Sequence, residues 1–204
     1  MATRPARSAS GRAETENAFL DAAERLLIED GYARITTRRL AAEAGLNHGL
    51  VHYYFGSMEE VFVRALERFT GRLVERQRAM YAADVPFIEK WRTAMSYLEQ
   101  DIAAGYPKIW LELQALGWNN ADIRERVARV NAEWRAVLTE AFASAAEEYG
   151  LDTTRLPLEA WVSLVMTFNQ GIELERLSGI NDGHAELLTA VDRWLSSFDQ
   201  EKER

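Results

Sequence analysis

The sequence predicts an all-α protein: an N-terminal three-helix unit built around a helix-turn-helix, followed by a larger helical bundle, about nine helices in all. Three observations carry this prediction. Apolar residues recur at steps of three and four along most of the chain, the period of a helix with one buried face. Pro86, Pro107 and Pro157 each stand where such a pattern begins, the position at which a fixed φ and a missing N–H cost least. No alternating run of β-branched residues occurs to flank a hairpin-type dipeptide such as Asp182-Gly183.

Taken in order, residues 1–13 hold Ala, Arg, Ser, Pro and Gly without periodicity and read as a disordered basic arm, with Arg4, Arg7 and Arg12 ahead of the first acid, Glu14. Phe19, Ala22, Ala23, Leu26 and Leu27 then form the apolar stripe of a helix that Gly31 ends. The segment Ile35 to Glu60, ITTRRLAAEAGLNHGLVHYYFGSMEE, reads as two short helices joined by a tight turn. Thr36 or Thr37 caps the first through its side-chain oxygen, and Leu40, Ala41 and Ala44 give its apolar face. Gly45 supplies the left-handed residue at its end. Asn47 caps the next helix, whose buried side is Val51 and Phe55.

Ser57 with Glu60 forms a capping box for a long helix from about Met58 to Met80. Gly71 inside it is less favourable than Ala by roughly 1 kcal/mol, which marks a point of flexure. Further helices are predicted at 86–104, 107–117, 120–149, 157–178 and 184–198. The domain reading is therefore 1–13 arm, 14–58 helix-turn-helix domain, and 59–204 ligand-binding and dimerisation domain.

With 204 residues and 48% hydrophobic content the chain can bury a sizeable core. No apolar run reaches the ~18 residues of a membrane span, and the N-terminus lacks the apolar stretch of a secretory signal. The absence of cysteine excludes disulfides, thiolate metal sites and thiol catalysis. A soluble cytoplasmic protein is expected. The net charge of −8 argues against a nucleic-acid partner only until it is located. Residues 1–58 hold seven Arg and seven acids; the remainder holds 17 basic and 25 acidic residues, so the acidity lies in the C-terminal part.

Two helices with a short Gly-containing turn are the supersecondary signature that places a second helix in the DNA major groove. On that helix His48, Leu50, His52 and Tyr53 point away from Val51 and Phe55. His and Tyr offer donors and acceptors to base edges and phosphates, and Leu50 suits a thymine methyl. Gly49 makes sense where backbone must approach DNA closely. Arg38 and Arg39 lie in the first turn of the preceding helix, and a guanidinium on guanine O6/N7 is the commonest specific contact. His48 and His52 also have the i, i+4 spacing of a metal-ligand pair, but no Glu stands between them as a base and His184 is far away, so no metal or other cofactor is expected. An enzyme reading fails because no nucleophile–base–orienter set is legible.

The segment Asn17 to Val61 resembles the DNA-binding region of the TetR (tetracycline-repressor) family of transcriptional regulators. The matching residues are Leu20-Asp21-Ala22-Ala23, Gly31-Tyr32, Thr36-Thr37, Leu40-Ala41, Ala44-Gly45-Leu46, Tyr54-Phe55, Ser57 and Glu59-Glu60. The resemblance implies an all-α homodimer whose heads bind a palindromic operator and whose C-terminal domain dimerises and often binds a small inducer. It implies DNA contact by Thr37, Arg38, Asn47, His48, Leu50, His52, Tyr53 and Tyr54. The chain departs from the pattern where basic residues usually follow the Tyr-Phe pair: Gly56 and Met58 stand there, which removes two phosphate contacts.

The C-terminal part offers composition rather than motif. Trp and Met line adaptable apolar pockets, and Met95, Trp110, Gln114, Trp118, Trp134, Phe168 and Asn169 are candidate ligand-binding residues, with plain core as the alternative. No Lys or Arg interrupts the apolar positions of 110–118 or 161–172, so an apolar or aromatic ligand fits better than a small anion. Asn169, Gln170, Glu173 and Glu175 read either as polar groups of a pocket or as part of a subunit interface. Trp161, Val165, Phe168 and Ile172 on one helix, with Leu187, Val191, Trp194 and Phe198 on the next, form the candidate dimer interface, a four-helix arrangement with close approach at Gly171. The function expected is a sequence-specific DNA-binding regulator, a repressor released from a palindromic operator by a small apolar or aromatic inducer. Its partners would be double-stranded DNA, the inducer and a second copy of itself, with no membrane. The alternative is a DNA-binding protein of the same fold without an inducer, an architectural or global regulator.

Overall fold

The computed structural model describes residues 9–202, with side chains from Ser10 to Phe198. The described residues are all-helical: α1 (Ala9–Glu29), a 3-10 turn (Tyr32–Arg34), α2 (Thr37–Glu43), α3 (Gly49–Phe55), α4 (Met58–Tyr81), α5 (Phe87–Ala103), α6 (Tyr106–Gly117), α7 (Ala121–Tyr149), α8 (Leu158–Leu177) and α9 (His184–Lys202). None of these helices is long and apolar enough to cross a membrane. Pro86 and Pro157 sit at the N-caps of α5 and α8, whereas Pro107 lies inside the first turn of α6, one residue later than the sequence suggests.

Residues 9–13, expected to belong to the arm, are helical instead. Arg4 and Arg7 lie outside the described residues, but α1 already runs from Ala9. Local pairing explains the helical start: Ser10 Oγ donates to Glu14 at 2.9 Å, and Arg12 pairs with Glu16 at 3.0 Å, both one turn apart.

The described residues divide into two compact units, and the division does not follow the boundary at 58/59 expected from the sequence. The head unit comprises the chain up to Thr70 together with Lys108–Arg126; the second unit comprises Gly71–Pro107 and the residues from Val127 onward. The first half of α4, all of α6 beyond Pro107 and the start of α7 thus belong with the head. The division falls inside the unbroken α4 at Gly71, whose missing side chain has nothing within 4 Å.

The core of the head is Phe19, Ala22, Ala23, Leu26 and Leu27 of α1 against Leu40, Ala41, Val51, Phe55 and the Val61–Leu66 stretch of α4, all buried. Phe19 meets Phe55 edge-on at 5.9 Å, and Tyr32 meets Phe62 at 5.1 Å. The second unit is built on Phe87, Ile88 and Trp91 of α5, Leu138, Phe142 and Ala145 of α7, Val162 of α8 and Leu195 of α9. Pro86 offers α5 no side-chain cap, and α7 supplies the missing acceptors: the Phe87 N–H donates to Glu148 and the Ile88 N–H to the Tyr149 hydroxyl at 3.2 Å.

Candidate DNA interface

The helix-turn-helix forms as its residues require. Thr36 is the N-cap of α2 and accepts the Arg39 N–H at 3.1 Å. Gly45 takes φ +66, a conformation disfavoured for any side chain, and so turns the chain out of α2. Asn47 Oδ1 accepts the Gly49 N–H at 2.8 Å, so Asn47 starts α3 by side-chain bonding although His48 occupies the cap position itself.

This leaves one face of α3 and the first turn of α2 open. Arg38, Asn47, His48, Gly49, His52 and Tyr53 are exposed, Tyr53 by 71%, while Thr37 and Leu50 are half-buried. Arg38 and Arg39 differ sharply. Arg39 is tied to Asp30 at 3.4 Å and to Glu43 at 3.7 Å, whereas Arg38 makes no ion pair among the described residues. His52 Nδ1 lies 3.0 Å from the Gly56 carbonyl oxygen, which accepts from it and fixes the ring with Nε2 outward from that bond.

Tyr54 is a correction. It is 8% exposed, its ring meets Tyr53 edge-on at 5.0 Å and lies under the Arg12 guanidinium at 5.6 Å. Adjacent residues on a helix point about 100° apart, so of two neighbouring tyrosines one was bound to turn inward. The resemblance carried both over as contacts, and only Tyr53 stands on the open face.

The supports of this face are ion pairs and backbone caps inside the head unit. Arg68 of α4 holds Glu24 through Nε at 3.0 Å and Nη2 at 2.7 Å, and Asp21 at 2.7 Å; Arg64 holds Glu16 at 2.9 Å. Arg64, hydrogen-bonded to Glu16, keeps that carboxyl below its ordinary value. Ser57 caps α4 by accepting the Glu60 N–H at 3.1 Å, while the Glu60 carboxylate turns to Arg126 instead of completing the box. Arg126 also grips Glu67, at 2.7 Å through Nε, and these two carboxylates, Glu67 foremost, raise the guanidinium above its ordinary value.

Sequence reasoning missed the part played by α6. Lys108 Nζ donates to the Ile28 carbonyl at 2.7 Å, at the open C-terminal end of α1. The Tyr32 N–H donates to Glu112 Oε2 at 2.7 Å. Gly31, at φ +74, lies so close that a Cβ there would stand 2.8 Å from Glu112 Oε1. One turn of α6 therefore holds the end of α1 and the start of the 3-10 turn that follows it. The spacing Lys108-x-x-x-Glu112 is visible in the sequence, but its targets are backbone groups some 80 residues away, which no local pattern reveals.

The seven ligand candidates are divided between the two units. Trp110 (buried), Gln114 (half-buried) and Trp118 (74% exposed) belong to the head unit. Met95, Trp134, Phe168 and Asn169 belong to the second unit, where Met95 packs against the core. Only Phe168 lines the apolar cavity of about 320 Å³ that α5, α7, α8 and α9 enclose with Trp91, Phe142, Trp161 and Trp194. Periodicity marks a helix face as buried without saying which neighbours it meets.

The dimer candidates separate too. Ile172 is 3% exposed and points into its own unit, a correction. Leu187 and Trp194 are exposed, whereas Trp161, Val165, Phe168, Val191 and Phe198 are half-buried. Trp161 stacks on Trp194 at 6.0 Å and Phe198 stacks at 5.2 Å from Tyr149. The open stripe of α8 is Leu164, Gly171 and Leu174; the sequence reading named Gly171 but passed over the two leucines because α8 is apolar on both sides.

The fold and the head define an all-α helix-turn-helix protein. Residues 19–65 match the family described as bacterial regulatory proteins, tetR family. An HTH-type transcriptional repressor of Mycobacterium tuberculosis is 34% identical over 89 residues, 42% of this chain and 47% of the repressor, so the match spans about half of that relative. Two solved structures share the fold across nearly the whole chain. The fatty acid degradation regulator FadR of Bacillus halodurans superposes with TM-score 0.72 at 18% identity, covering 95% of this chain and 96% of that one. FadR of Bacillus subtilis in complex with stearoyl-CoA does so with TM-score 0.72 at 16% identity, covering 88% and 96%. At such identities the likeness is one of fold.

Proposed function

We propose that the protein is a transcriptional repressor that binds a palindromic operator as a homodimer and is released by a small apolar or aromatic molecule. The observation that carries the DNA reading is the open face of Arg38, Asn47, His48, Leu50, His52 and Tyr53 on a head in which Arg39, Arg64, Arg68 and Arg126 are tied to carboxylates. Groups already fixed before binding lose little freedom on docking. Leu164, Leu174, Leu187 and Trp194 give α8 and α9 an exposed apolar stripe, which supports pairing with a second copy. Leu164, Leu187 and Trp194 also line the mouth of the apolar cavity, so a dimer built on this face would cover its entrance.

Two heads read two half-sites only when their recognition helices lie about 34–36 Å apart or a multiple of that. A ligand that binds better to a dimer of different spacing lowers operator affinity by linkage. The contacts of Lys108 and Glu112 make α6 a second path to the head besides α4. Selection of random duplexes by the purified protein is the test, and enrichment of a two-fold symmetric site is expected. Enrichment of nothing, or of asymmetric sequence, overturns the reading. Operator release by hydrophobic aromatic compounds, followed by Trp fluorescence, tests the ligand class against small carboxylates and phosphates.

A further inference from the structure

Between Arg39 and Arg64 the chain holds no Lys or Arg, so side-chain positive charge on α3 can come only from His52 and, at its N-cap, from His48. Both rings are exposed, but they are held differently. His48 makes no side-chain cap bond. His52, one turn further on, is joined to Gly56 twice. The Gly56 N–H donates to the His52 carbonyl at 3.1 Å, and His52 Nδ1 donates to the Gly56 carbonyl at 3.0 Å. Gly56 takes φ +78, a region that side chains disfavour, and so turns its carbonyl out of the helical path. This glycine is what fixes the imidazole.

A carbonyl oxygen only accepts, so Nδ1 carries a proton in both charge states of the ring. The neutral ring then presents Nε2 as a bare acceptor, and the charged ring presents it as a donor. Histidine side chains pass between these states at roughly pH 5–8. In the major groove cytosine offers only a donor, N4–H, whereas guanine offers only the acceptors N7 and O6. One side chain in one orientation therefore complements opposite bases in its two states. The charged groups on the elements packed with α3 are engaged elsewhere. Arg12 of α1 and Arg64 of α4 pair with Glu16, Glu59 lies by Tyr32, Glu60 pairs with Arg126, and Arg39 pairs with Glu43 on α2. Neither these groups nor Arg38 nor His48 makes a hydrogen bond or ion pair with His52 among the described residues.

We propose that His52 is a specificity-determining residue whose preferred base changes with its protonation, an amino group of cytosine or adenine for the neutral ring and guanine for the charged one. The role rests on the DNA reading of α3 and goes further by naming the atom that reads, Nε2, and the bases it selects. Proton linkage follows from it. A guanine at this position binds the charged ring, so that complex takes up a proton and weakens as pH rises. A cytosine there binds the neutral ring, so that complex weakens as pH falls. The choice between guanine and cytosine at one position per half-site therefore inverts with pH.

The test is selection of random duplexes by the full-length protein at pH 6 and at pH 8. The position whose base changes is then titrated with a G·C pair and with the same pair inverted, two duplexes of equal composition. Guanine is expected to be favoured at pH 6 and cytosine or adenine at pH 8, by about three- to tenfold each way, the worth of one hydrogen bond. His52→Ala should keep the rest of the selected site and lose the exchange at this position. His52→Gln, whose amide donates and accepts at any pH, should restore a base preference there that does not change with pH. Identical preferences at both pH values, or an exchange that survives in His52→Ala, overturns the proposal. A pH dependence that His52→Ala removes equally from selected and random duplexes makes His52 a phosphate contact and overturns the base reading. Enrichment of no duplex at either pH overturns the DNA reading itself, and this role with it; enrichment of a site without the exchange overturns the role alone.

Discussion

The two units treat polar groups in opposite ways. In the head, Arg64, Arg68, Arg126, Lys108 and Glu112 each have a partner, and Glu112 and Lys108 use theirs to satisfy backbone at the end of α1 and the start of the 3-10 turn. In the second unit lie all the buried side-chain atoms without a partner among the described residues: Arg76 Nε, Gln77 Oε1, Asn169 Oδ1, Arg176 Nε and His184 Nδ1. The same unit carries most of the exposed large apolar residues, among them Leu164, Leu174, Leu177, Ile180, Leu187 and Trp194. A reader of DNA gains from being fixed before it docks, because loose side chains would lose freedom on binding. On the proposed reading, a unit that meets a second copy and small molecules keeps surface and hydrogen-bonding capacity in reserve, and it loses stability as a free chain for doing so.

The largest effect that would break this contrast is on the exposed stripe. Leu164→Glu with Trp194→Glu should convert a dimer to monomers and weaken operator binding by about 10²–10⁴-fold, the gain that linking two heads provides. Light scattering and operator titration measure both. A variant that remains dimeric places the interface elsewhere.

Glu173 gives the next effect. Burial first and Asp101 second push its folded value up to about 7, above its ordinary 4.5, so its contribution is fully present below 4.5 and is lost as pH rises through 7. Glu173→Gln should therefore match the parent at pH 4.5 and be more stable by on the order of 3 kcal/mol at pH 8.5, since each unit is worth about 1.4 kcal/mol. Urea melts at the two pH values decide it, and a pH-independent difference would mean that the carboxyl is not desolvated.

In the head the expected sign is the reverse, because there the polar groups are satisfied. Glu112→Ala leaves the Tyr32 N–H without its acceptor and should destabilise by about 1–3 kcal/mol. Gly31→Ala forces a side chain into the left-handed region against Glu112 and should cost a similar amount. Chemical denaturation measures both; neutral outcomes would remove α6 from the support of the head.

The smallest effect on stability, and the sharpest on binding, belongs to Arg38. Arg38→Ala should leave the melting temperature unchanged, because Arg38 has no ion pair to lose among the described residues, and should weaken operator binding by about 1–3 kcal/mol with relaxed preference at one position per half-site. Arg39→Ala, tied to Asp30 and Glu43, should leave base preference intact. An equal loss on specific and random duplexes would make Arg38 a phosphate contact.

Local chemistry wrote much of this protein in its sequence. The Thr36 cap, the Gly45 turn, the Asn47 bond to Gly49 and the Ser57 cap of α4 involve residues no more than a few positions apart, so their geometry follows from their spacing. Helix extents were legible for the same reason, to within a residue or two at Pro86, Pro107 and Pro157. Gly71, marked by propensity alone, is where the two units divide.

Contacts between distant segments were decided only in three dimensions. Helical period says that Ile172 and Tyr54 can be buried, but packing against other helices determines that they are, and that Leu164 and Tyr53 are not. Trp110 and Phe168 look alike as aromatic residues on apolar helices, yet they belong to different units, because α6 packs with the head. The hold of Lys108 and Glu112 on the α1–α2 connection, and the pairing of Arg76 with Asp101, join groups from about 25 to 80 residues apart. A sequence period fixes which way a side chain leaves its own helix; what it meets there depends on the path of every other helix.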